Sequence, residues 1–113
     1  MLIEIQSRNI TLTQELKDLL RKRVEFAFDR FQHKIQKVRI RLSDVNGPKG
    51  GIDKHCQIHL ALPDQPDVVV RTRASRIEAA ISKTTSRSAI ALYRRFKKRS
   101  KYASAKRLEM LEA

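Results

Sequence analysis

The chain has 113 residues, of which 41% are hydrophobic and 33% charged, with a formal net charge of +13. That length fits one domain with a modest core, and three Gly and three Pro argue against a disordered chain. One cysteine, Cys56, excludes an intramolecular disulfide and suits a reducing compartment.

The first residues, MLIEIQSRNI, alternate apolar and polar side chains over Leu2–Arg8. This predicts a half-buried strand. The same stretch lacks a basic n-region and a long apolar segment, so no secretory signal is expected. No apolar run approaches the roughly 20 residues of a membrane span, and a cytoplasmic location is expected. Thr11 and Thr13 follow as helix-cap candidates. Thr13 is the better placed, because Glu15 and Asp18 then sit near the positive end of the helix. The period is helical from Gln14 to about Gln32, with Leu16, Leu20, Val24, Ala27 and Phe31 on one face. Leu19 and Phe26 point away from that face, as a secondary contact with the fold or as a small protein-interaction patch.

Lys37–Leu42 alternates again, Val38, Ile40 and Leu42 opposing Lys37, Arg39 and Arg41. Asn46–Gly51, NGPKGG, reads as a loop. His55–Leu62 forms a third strand with Cys56, Ile58, Leu60 and Leu62 inward, Pro63–Pro66 a tight turn, and Asp67–Arg73 a fourth strand. Ser75 opens a long helix to about Arg99. The order β-α-β-β-β-α gives four strands with one apolar face each, and two helices to cover them. The expected fold is an α+β two-layer sandwich, within the α/β class: a four-stranded mixed sheet with both helices on one face, similar to double-stranded-RNA-binding domains. Strands 1 and 2 are expected to be parallel neighbours, and the later connections to be hairpins. Residues 1–99 make one domain, and residues 100–113 a basic, flexible tail.

The charge is concentrated in the last third. Residues 71–107 carry 13 Lys/Arg against Glu78 alone, whereas residues 1–70 carry 12 against 9 acidic residues. At about 100° per residue, Arg76, Lys83, Arg87, Arg94 and Lys98 fall on one narrow stripe, beside a core face of Ile77, Ile81, Leu92 and Phe96. A solvated helix face ordinarily mixes signs, because i, i+4 pairs of opposite charge stabilise it and like charges cost a few tenths of a kcal/mol per pair. An acid-free stripe therefore points to a polyanion. A lipid surface would need the apolar face that the sheet covers. No motif for reading DNA base edges is evident. The strands carry no aromatic platform for single-stranded bases. What remains is phosphate and shape recognition of structured RNA. Ile90, at the stripe's edge, and Tyr93, farther round, either pack on a sugar or base or are simply exposed.

No catalytic constellation is present, and neither a cofactor nor a small-molecule substrate is expected. NGPKGG lacks the spacing and the Lys-Ser/Thr of a P-loop. Lys49 and Lys54 are read as ordinary loop cations within reach of phosphate. His55 and His59 lie about 13 Å apart along a strand and Cys56 faces the other side. They cannot share a zinc ion, whose ligands lie within about 2.3 Å, and no metal is expected.

Two segments carry a family resemblance. IEIQSRNITLTQELKDLL near the start, and IEAAI (Ile77–Ile81) opening a long basic helix, resemble the ribosome hibernation-promoting factors, also called ribosome-associated inhibitor A or sigma-54 modulation proteins. The resemblance spans roughly residues 2–99. It implies a non-enzymatic translation inhibitor that docks on the small ribosomal subunit, against 16S rRNA, in the channel of messenger and transfer RNA, in stationary or stressed bacterial cells. By the same likeness, Arg23 on the first helix and Arg87, Arg94 and Lys98 on the second match basic positions. Glu78 stands where the family usually has an aromatic residue, Ser82 where an acid follows the motif, and Ile90-Ala91 where an Arg-Gln pair is usual. Long members add a dimerisation domain that this chain ends too soon to include, so it is not expected to pair ribosomes by that route; a protein monomeric off the ribosome is expected. The expected RNA-binding set is Arg23, Arg76, Lys83, Arg87, Arg94 and Lys98. The rival readings are a general structured- or double-stranded-RNA binder, and a protein-interaction regulator acting through Leu19 and Phe26.

Overall fold

The computed structural model describes residues 1–45 and 53–112, with side chains through Lys97. The loop expected at Asn46–Gly51, with Lys49, and the side chain of Lys98 lie outside the described residues. Strand β1 (Leu2–Arg8) is followed by helix α1 (Gln14–Ala27), a 3-10 segment (Asp29–Lys34), β2 (Lys37–Asp44), β3 (Lys54–Ala61), β4 (Val68–Ala74) and α2 (Ile77–Glu112). The strands form one mixed sheet in the order β1-β2-β3-β4, parallel between β1 and β2 and antiparallel elsewhere. This is the expected two-layer α+β fold.

Alternation sets which way each strand faces. Val38, Ile40 and Leu42 of β2 stand beside Leu60, Ile58 and Cys56 of β3, and all six are buried. Leu20 and Val24 of α1, Phe28 beyond it, and Ala80, Ile81 and Leu92 of α2 close over them in one core cluster. Both helices thus cover the same sheet face. The other face carries the out-facing polar residues.

Thr13 caps α1, its hydroxyl accepting the Leu16 N–H at 3.1 Å, which satisfies one of the donors a helix start leaves unpaired. The α-helix ends at Ala27, short of the expected Gln32. From Asp29 the chain tightens into the 3-10 segment, Phe28 is fully buried, and Phe31 packs against Phe96 of α2 with ring centroids 5.2 Å apart. Buried aromatic anchoring, rather than a breaker residue, accounts for the change of winding. The second helix departs the other way, continuing beyond the expected end near Arg99 to Glu112.

The inner face of α2 is more polar than its apolar residues imply. Thr84, Thr85 and Ser88 are buried there, opposite buried Thr72 of β4. Thr84 Oγ1 lies 2.7 Å from the Ala80 carbonyl oxygen and 2.6 Å from Thr72 Oγ1, while Ser88 donates to the Thr84 carbonyl at 2.6 Å and Thr85 to the Ile81 carbonyl at 2.9 Å. Each hydroxyl is satisfied locally, so it can be buried without an orphaned polar group. Small side chains here also let the helix sit close on β3 and β4.

Candidate nucleic-acid interface

The seating of α2 decides which of its cations are free. Arg95 donates from Nη1 to the Pro66 carbonyl at 2.7 Å, tying the helix to the turn between β3 and β4. Lys97 Nζ lies 5.3 Å from the Tyr93 ring centroid, and Lys34 Nζ lies 4.7 Å from that of Phe96, within cation–π range. Arg76, Lys83, Arg87 and Arg94 are exposed. No described carboxylate pairs with any of these four; the ion pairs among the described residues all lie elsewhere. From Arg76 to Arg94 the row extends about 27 Å at 1.5 Å per residue.

The row passes a shallow groove between α1 and α2. Ala27 and Phe31 form one wall with Arg30. Ala89, Ile90, Tyr93, Arg94 and Lys97 form the other. Ile90 and Tyr93 are 50% and 46% exposed, so the groove offers apolar surface and an aromatic ring beside three cations. Arg23 is exposed one helical turn before Ala27. The structure therefore brings Arg30 and Arg94 to the two sides of one groove, with Arg87, Lys83 and, just before the helix, Arg76 continuing along α2; Arg23 is exposed on α1 but does not line the groove. Arg30 and Lys97 also line it and were absent from the expected set. Their signal in the sequence was weak, because Arg30 lies beyond the end of the regular helix and Lys97 lies off the stripe.

Other charged residues have local partners. Lys54 begins β3 and binds Asp44 Oδ2 at 2.6 Å, with Asp53 Oδ1 at 3.6 Å; the hydrogen bond to Asp44 raises its pKa above the ordinary 10.5. Lys54 is thus held by carboxylates instead of being a free loop cation. Glu4 binds Lys37 at 2.7 Å and Arg39 at 3.3 Å, and the Lys37 hydrogen bond lowers its pKa. His59 and Asp67 meet at 2.6 Å, which holds the Asp67 pKa down.

No chemistry gathers around Cys56. Burial pushes its thiol up to about 11, which keeps it protonated and unreactive at neutral pH. His55 and His59 face the open side of the sheet and Cys56 the core. Among the described residues no group of His, Cys, Asp and Glu can hold a metal ion. No described helix is long and apolar enough to cross a membrane.

Similarity to known proteins follows the same architecture. The N-terminal domain of Protein Y from Thermus thermophilus superposes with a TM-score of 0.69 at 23% identity, over 83% of this chain and 98% of that one. A ribosomal subunit interface protein from Coxiella burnetii gives 0.67 at 15% identity, over 92% and 99%. Identities this low show the shared fold. No curated protein matches by sequence. The family model described as sigma 54 modulation protein / S30EA ribosomal protein, however, matches residues 3–101, nearly the whole folded unit, and the chain belongs to that family.

Proposed function

We propose that this protein is a ribosome-associated translation inhibitor that binds the 30S subunit against 16S rRNA, in the channel used by messenger and transfer RNA. It acts as a cytoplasmic, non-enzymatic factor of the bacterial stationary-phase and stress response, and is monomeric off the ribosome. The observation that carries this reading is the row of exposed, unpaired cations on α2 in a member of a family described by a ribosomal protein. Arg76, Lys83, Arg87, Arg94 and Lys98, with Arg23 on α1, neutralise backbone phosphates. The sheet stiffens the helix that presents them. Residues 1–99 form the ribosome-binding domain, and residues 100–113 a basic C-terminal tail.

Sucrose-gradient fractionation of lysate tests the reading. The chain is expected in the 30S and 70S fractions, and the R87E/R94E variant at the top of the gradient with its melting temperature unchanged. Wild-type distribution of that variant would refute the site. Competition with plain duplex RNA separates this function from general double-stranded-RNA binding: assembled subunits should win at equal phosphate concentration.

A further inference from the structure

The open face of the sheet carries a second cationic surface. Register places Gln6, Arg41, Gln57 and Arg71 in one row across all four strands. Two residues along, Arg8, Ser43, His55 and Arg73 make a second row. Between them the backbone of Ser7, Leu42, Cys56 and Thr72 floors a groove of about 380 Å³ that crosses the strands. Arg8, Arg41, Arg71 and Arg73 are all exposed.

The two ends of this face are treated differently. Toward the Glu4 end, Lys37 and Arg39 are matched by Glu4, and His59 by Asp67. Toward the groove, no ion pair among the described residues engages any of the four arginines. Arg8 lies diagonally from Arg41, and Arg71 and Arg73 alternate on one strand. The four arginines are thus second neighbours on one face rather than directly opposed, and among the described residues no carboxylate pairs with them as Glu4 and Asp67 do at the other end.

We infer that this groove is a second RNA-backbone site, so that the protein is gripped by RNA on both faces. The reading takes its partner class from the ribosomal function above, but none of its residues belongs to the helix surface. Strands about 4.8 Å apart spread the arginines over roughly 14 Å from β1 to β4. That is too wide for one phosphate, and suits a run of phosphodiesters. Arginine forks, with Gln6 and Gln57 between them, present donors suited to phosphate oxygens. No Phe, Tyr or Trp lies on these strands, and His55 is the single ring in the groove, too little for a stacking platform, so the backbone is what is bound. The Cα trace is only 24 × 19 Å in cross-section. Two RNA elements lining a narrow channel can therefore reach the helix row and the sheet groove together.

The test uses the full chain in two forms. One carries Gln57→p-benzoylphenylalanine and is irradiated on 30S subunits; the other is R41Q/R71Q, titrated against subunits over a range of salt. The inference expects crosslinks to 16S rRNA, and a plot of log K against log salt that is shallower by roughly 2 than for wild type. Both arginines are exposed, so the melting temperature should hold or rise. An unchanged slope overturns the inference and leaves the helix reading standing, and so do crosslinks confined to ribosomal protein. If the wild-type chain fails to sediment with subunits, the ribosomal reading falls instead. The groove is then tested on an RNA hairpin of about 20 base pairs, where R41Q/R71Q must lose affinity about tenfold; equal affinity overturns it.

Discussion

Single side chains set the boundaries and the reactivity of this fold. Thr13 accepts the Leu16 N–H, and a cap of this kind is worth about 1 kcal/mol. Thr13→Ala should lower the unfolding free energy by that amount in a urea melt, with the cations of α2 untouched; an unchanged midpoint would show that the cap is redundant. Cys56 makes a kinetic prediction. Its thiol is buried and protonated, so a thiol reagent at pH 8 should modify the native chain only as fast as it opens, and denaturant should release the full reaction. Rapid labelling of the folded protein would contradict the placement of Cys56 in the core. Thr13 and Cys56 were both legible in the sequence, because capping and strand alternation are local rules. The buried Thr84 and Ser88 were not. Hydroxyls on a helix read as solvent-facing until it is known that Thr72 stands opposite them and that the Ala80 and Thr84 carbonyls accept from them.

The elements differ in how much tertiary contact overrides the local pattern. All four strands formed where period-two alternation placed them, to within a few residues, because each buries one face under the helices. Helix α1 was harder to read. Leu20 and Val24 follow helical spacing, but the burial of Phe28 and the contact of Phe31 with Phe96 wind the chain into a 3-10 segment that no local signal announces. Helix α2 depends on its apolar grip. Leu92 is fully buried in the shared core, and Leu92→Ala should cost about 2–5 kcal/mol. A loss below 1 kcal/mol would mean that the helix is held mainly by its hydroxyl contacts. The stripe of Arg76, Lys83, Arg87 and Arg94 follows from 3.6-residue periodicity alone. The groove that joins it to Arg30 does not, because it exists only once the end of α1 and α2 are side by side. Phe26 is 89% exposed on α1, and Leu19 is half-buried outside the core cluster.

At the scale of the whole molecule, charge governs both stability and binding. Glu4 and Asp67 have pKa values held below their ordinary 4.5 and 3.8 by hydrogen bonds to Lys37 and His59. Their contribution to stability is complete above those ordinary values. It is lost as pH falls through the lower folded values, so unfolding free energy should decline on the acid side of about pH 4.5. E4Q/D67N should flatten that acid limb, and a wild-type limb in the double variant would contradict it. Lys54 works in the opposite sense: its raised pKa stabilises the fold below pH 10.5, and that support is lost as pH rises through the folded value. The positive excess is concentrated on exposed side chains, which the proposed function directs to phosphate. The central claim is therefore tested most directly by the salt dependence of 30S binding. Neutralising about 5–8 phosphates should give log K against log salt a slope of roughly −4 to −7, with R87E/R94E binding too weakly to measure. Tight binding that hardly changes between low and high salt, or that survives the charge reversal, would contradict it.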